Sequence, residues 1–95
     1  MTELIVPIYK ITVESFKYND EVYTVAISPE LNPEDVGLDF TGNYTGLLID
    51  PNHGTYTFVL SPSGKDKWKF EDDYLKQIIK PEVLNRIGDI ISRLQ

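Results

Sequence analysis

Leu47-Leu48-Ile49-Asp50-Pro51-Asn52-His53-Gly54-Thr55-Tyr56-Thr57-Phe58-Val59-Leu60 carries a hairpin in its residue types: two apolar, β-prone runs flank a loop of turn formers. Pro51 supplies the preset φ that begins a type I turn, and Gly54 is expected to take the positive φ that returns the chain to the ladder. Pairing Asp50 with Thr55 then sets Ile49 beside Tyr56 and Leu47 beside Phe58, which makes one face apolar.

A second hairpin lies upstream. From Ile8 to Ser28 the chain is rich in Val, Ile, Thr, Tyr and Phe, and Asn19-Asp20 interrupts the run with residues that tolerate turn conformations. Tyr9, Ile11 and Val13 share one parity, and Phe16 has the other. Pairing Phe16 with Tyr23, Val13 with Val25 and Ile11 with Ile27 requires one extra residue, so a bulge is expected at Glu14-Ser15; a three-residue turn is the alternative. Tyr23-Thr24-Val25-Ala26-Ile27-Ser28-Pro29 also resembles Tyr56-Thr57-Phe58-Val59-Leu60-Ser61-Pro62. Either the hairpin is duplicated or strand chemistry has converged, with a proline ending each strand because it cannot donate to the ladder.

Between the hairpins, Pro29 to Gly46 is expected to be a loop. It holds one helical turn at Pro33-Glu34-Asp35-Val36 and a short edge strand at Leu38 and Phe40, before Thr41-Gly42-Asn43. Trp68 and Phe70 alternate as on a last strand, with Lys65, Lys67 and Lys69 turned to water. Beyond Glu71 the period changes. Leu75, Ile78, Ile79, Val83, Leu84, Ile87, Ile90, Ile91 and Leu94 recur at three and four residues, the stripe of an amphipathic helix. Glu71, Asp72 and Asp73 suit its N-terminal end, and Pro81 demands a kink or a new helix. The expected fold is α+β: an antiparallel four- to five-stranded sheet from two hairpins, covered on one face by a C-terminal helix or kinked helix pair. Residues 1–95 form one domain, 1–70 mainly β and 71–95 helical.

Composition narrows the function classes. With 95 residues and no cysteine, disulfides, thiolate catalysis and cysteine-ligated zinc are excluded together. No run approaches the roughly 18 apolar residues of a membrane helix. Met1 to Lys10 has no basic segment followed by an apolar one, so a cytoplasmic location is expected.

The net charge of −6 is uneven: residues 1–61 carry nine acids against two lysines, and residues 62–95 carry six acids against seven bases. Free nucleic acid is therefore an unfavourable partner for the first two-thirds, because such affinity comes from Lys and Arg replacing counterions on phosphates. A protein with a basic surface would be steered toward it.

Sites of chemistry are thin. Asp50-Pro51-Asn52-His53-Gly54 superficially resembles the start of a calcium loop. Its glycine, however, stands fifth, Ser61 occupies the position of the bidentate acid, and strands flank it. His53 is the only histidine, and no serine sits in a nucleophile elbow. The acid pairs Asp20-Glu21, Glu34-Asp35 and Asp72-Asp73 are adjacent residues, which point apart, and each is explained locally as a turn, a helix start or a solvated face. No phosphate-loop motif occurs.

No catalytic residue, cofactor or metal is expected. The expected function is non-catalytic protein binding, as an adaptor, inhibitor or immunity-type protein, through Glu30, Glu34, Asp35 and Asp39 with Trp68 as an aromatic anchor. A narrower version is a phage- or plasmid-encoded inhibitor of a basic nucleic-acid-binding protein. The alternatives are a small-ligand or metal-binding regulatory domain using Asp50 to His53, and a structural homodimer or oligomer subunit built on an unpaired strand edge.

Overall fold

The computed structural model describes residues 11–32, 40–65 and 67–94. Five strands follow one another across a single antiparallel sheet: β1 (Thr12–Tyr18), β2 (Glu21–Leu31), β3 (Phe40–Ile49), β4 (Thr55–Pro62) and β5 (Trp68–Phe70). Two helices complete the α+β architecture, α1 (Asp73–Ile78) and α2 (Pro81–Leu94), both on one face of the sheet.

The first hairpin pairs without interruption from Thr12↔Ile27 to Tyr18↔Glu21. Phe16 does pair with Tyr23, and the rings stack at 5.6 Å. The expected bulge at Glu14-Ser15 is absent, and Val13 pairs with Ala26 instead of Val25. The two-residue turn explains why: Asn19 and Asp20 both hold positive φ, 52° and 61°, a conformation whose twist matches the flanking strands. The parity conflict is resolved by turning Ile11 and Val13 to the opposite face, where they are 64% and 63% exposed.

The second hairpin is offset by one residue from the expected register. Ile49 pairs with Thr55, Leu48 with Tyr56 and Gly46 with Phe58, leaving a five-residue connection from Asp50 to Gly54. The Asp50 side chain creates that extra length by accepting from the backbone N–H groups of Asn52 (2.9 Å) and Gly54 (2.7 Å). His53, not Gly54, takes the positive φ, at 66°. Gly54 is required for a different reason: a Cβ there would stand 2.8 Å from Asp50 Oδ2. The offset puts Leu48 in the core in place of Leu47 and Ile49.

The expected loop between the hairpins is also corrected. β2 runs through Pro29, which pairs with Tyr44, to Leu31, with a register irregularity between them. Pro29 therefore does not end its strand, whereas Pro62 does end β4. Pro29 lies beyond the last described pair of β1 with β2, so its missing N–H interrupts no ladder on that side among the described residues. Phe40 and Thr41-Gly42-Asn43 belong to β3, a central strand and not an edge. The expected helical turn at Pro33-Glu34-Asp35-Val36, and Leu38, lie outside the described residues.

Gly46 is the second glycine with a specific task. A Cβ on it would meet the Ala26 carbonyl oxygen at 2.3 Å and the Phe58 ring at 2.5 Å, so the ring fills the space that a side chain would occupy. Val25, Ile27, Leu48, Phe58, Leu60 and Phe70 project from that side of the sheet onto Leu75, Val83, Ile87, Ile90 and Ile91. Asp72 caps α1 by accepting from Tyr74 N–H at 2.8 Å, and Pro81 opens α2 as expected, at the position where a missing N–H costs nothing. Of the expected helical stripe, Ile78 and Leu94 remain exposed.

Candidate functional site

Among the described residues, no helix lies on the opposite face of the sheet. Alternation along paired strands assigns it Val13, Ser15 and Lys17 from β1, and Val22, Thr24, Ala26 and Ser28 from β2. Thr45, Leu47 and Ile49 come from β3, and Thr55, Thr57 and Val59 from β4. Hydroxyls pair along it, Ser15 with Thr24 at 2.8 Å and Ser28 with Thr45 at 3.3 Å. The face is dished into an open trough of about 770 Å³, with Ile11 at one end, Ala26, Leu47 and Val59 on its floor, and Glu71 and Asp72 at the other end.

Glu30 stands near one end of this face. Its carboxylate accepts from Thr41 Oγ1 at 2.9 Å and Asn43 Nδ2 at 3.3 Å, which ties β2 to β3 through side chains. Trp68 is on the other side of the sheet. It packs edge-on against Tyr44, with centroids 5.3 Å apart, and so closely over Gly88 that a Cβ there would lie 3.2 Å from its ring. Glu30 and Trp68 are thus not brought onto one surface. Glu34, Asp35 and Asp39, the other residues expected at the site, lie outside the described residues.

The Asp50–Gly54 loop is closed on itself. Asp50 accepts, besides two backbone groups, the Tyr56 hydroxyl at 3.1 Å. That hydrogen bond, reinforced by the charge on the carboxylate, holds the Tyr56 phenol above its usual range, because ionisation would set two negative charges side by side. Asp72 is occupied as a helix cap, and Asp73 pairs with Lys76 at 3.1 Å. Among the described residues, no three metal-ligating side chains of the His, Cys, Asp or Glu type cluster, and no helix is long and apolar enough to cross a membrane.

On the helix side, three bases of α2 and its approach lie along β1. Lys80 sits 5.5 Å from the Tyr18 ring centre, Arg86 lies 5.6 Å from that of Phe16, and Arg93 bonds Glu14 at 2.9 Å. These contacts fasten the long helix to the edge strand.

Sequence reasoning missed the uncovered face. The available signal was the continuous apolar run at Val25-Ala26-Ile27, Leu47-Leu48-Ile49 and Phe58-Val59-Leu60. A strand with one wet face alternates, whereas a continuous run is the pattern of strands covered on both sides. No family model, no curated protein and no solved structure matches this chain.

Proposed function

We propose that this chain is a small acidic, non-catalytic protein-binding domain of adaptor, inhibitor or immunity type, working in the cytoplasm on a protein partner with a basic surface. The observation that supports it is the placement of charge. Glu30, Glu34, Asp35 and Asp39 fall within ten residues that contain no Lys or Arg, on and between strands β2 and β3. Pairing of these two strands continues to Leu31↔Phe40, past the last pairs that either makes with β1 or β4. Glu30 belongs to this two-stranded extension, already oriented by Thr41 and Asn43, and Glu34, Asp35 and Asp39 follow it in the sequence before β3 begins at Phe40. Concentrated carboxylates of this kind accelerate encounter with Lys- and Arg-rich surfaces and set orientation. A protein groove that binds nucleic acid is the narrower target, and a phage- or plasmid-encoded inhibitor is the matching role.

The test is a tagged pull-down from the native host's lysate at low and high salt, with Glu34→Lys/Asp35→Lys as the control. The expected result is a stoichiometric protein partner lost at high salt and lost with the variant, whose melting temperature stays near that of the parent. Equal capture by the variant removes this surface from consideration.

A further inference from the structure

We propose that the uncovered face of the sheet is a self-association surface, on which a second copy of this chain stacks sheet against sheet across a two-fold axis. Three observations converge on that occupant, none of which depends on the acidic extension being a binding site.

The first is composition by face. The continuous apolar runs of β2, β3 and β4 supply Ala26, Leu47, Ile49 and Val59 to the uncovered side, and β1 adds Val13. Val13 and Val22 are 63% and 49% exposed. A sheet side of this kind has the composition of the inner layer of a sandwich, and no second layer lies among the described residues.

The second is charge. The chain carries −6, so two copies repel each other wherever that charge is presented. The uncovered face presents less of it: among the described residues, Lys17 and Lys69 stand against Glu30, Glu71 and Asp72, all at its margins, and its centre is uncharged. The register also makes it self-complementary. Lys17 lies opposite Val22 at one end of the face, Glu30 lies eight residues further along β2, and Val13 with Ala26 is midway. A two-fold axis crossing the strands at Val13 and Ala26 brings Lys17 of one copy toward Glu30 of the other, twice. A basic partner finds an excess of only one acid among the described residues here, and nucleic acid finds no excess of base.

The third is size. Strands about 4.8 Å apart, rising about 3.3 Å per residue, outline a face of roughly 24 by 26 Å, or about 600 Å² per copy. The resulting total of about 1,200 Å² is at the lower edge of what specific complexes bury, which places the dimer in the concentration-dependent range.

Sedimentation equilibrium of the full chain, from about 1 µM to about 1 mM, tests this. The expected mass rises from 10.9 kDa toward twice that value. Leu47→Glu, at the centre of the face, and Val13→Lys, on the exposed edge strand, should each raise the dissociation constant at least roughly 30-fold while far-UV circular dichroism stays unchanged, since each buries a charge against the other copy. The use of two positions keeps the test decisive if one variant unfolds. Lys17→Glu alone should weaken association, and Lys17→Glu with Glu30→Lys should restore it. A parent chain that stays monomeric throughout overturns the proposal, as does a folded Leu47→Glu variant that dimerises like the parent, because that dimer must use a strand edge or the helices. Failure of the charge swap to restore association overturns the two-fold arrangement.

Discussion

The two faces of the sheet are built from alternate residues of the same strands, yet they differ in what holds them. On the helix side, Leu48, Leu60, Ile87 and Ile91 are fully buried, and the aromatic rings of Phe58 and Phe70 meet edge to face at 5.9 Å. On the other side, equally aliphatic residues such as Val13 and Val22 stand exposed, beside threonines and serines that bond one another. Apolar character alone therefore does not make a core. A residue is buried when its parity, set by turn length, points it at an element that returns over the sheet.

The largest way to break this contrast is Ile87→Asp. Ile87 has no exposed surface at the centre of α2, and a carboxylate there must be neutralised or dragged into water. Loss of the cooperative thermal transition is the expected outcome. A folded variant would mean that α2 presents a different side to the sheet.

A smaller effect is expected from Gly46→Ala. The added carbon must displace both the Ala26 carbonyl and the Phe58 ring, and overpacking of this kind costs about 1–3 kcal/mol, readable by urea denaturation. An unchanged midpoint would show that Phe58 can leave Gly46 without loss.

The smallest is Asp50→Asn, which sharpens the question of what sets the register of β4. The neutral amide can still accept through its oxygen, so the loop should be weakened by about 1 kcal/mol and not opened. Its clearer signature is in alkali. With Asp50 ionised, Tyr56 binds its proton more tightly in the folded state than in the unfolded one. That contribution to stability is present below the unfolded phenol's ordinary range and disappears as pH rises through the raised folded value. Ultraviolet titration should therefore find the Tyr56 ionisation moved down in Asp50→Asn. An unmoved ionisation would show that the Asp50–Tyr56 hydrogen bond does not persist in solution.

The amino-acid sequence by itself determined most of the strands and both helices, but not the strand character of residues 29–31 and 41–46, where proline, glycine and asparagine read as a loop. Periods of two and of three to four residues are local properties of the chain. So are the start of α2 at Pro81, which has no N–H to lose, and the inward alternation of Trp68 and Phe70. The acidic stretch from Glu30 to Asp39 was equally legible, because charge is additive along the chain. Register was not. A one-residue change in a turn inverts every side chain that follows, and the deciding contacts were the two positive-φ residues Asn19 and Asp20 and the Asp50 carboxylate folded back on its own loop. The central position of β3 was also hidden, since the cost of glycine at position 46 is offset by a ring contributed from β4. Only the tertiary structure could decide that both helices fall on one side of the sheet, leaving Val13, Ala26, Leu47 and Val59 on the other. That choice depends on which alternating set the returning helices can cover, and no single strand contains that information.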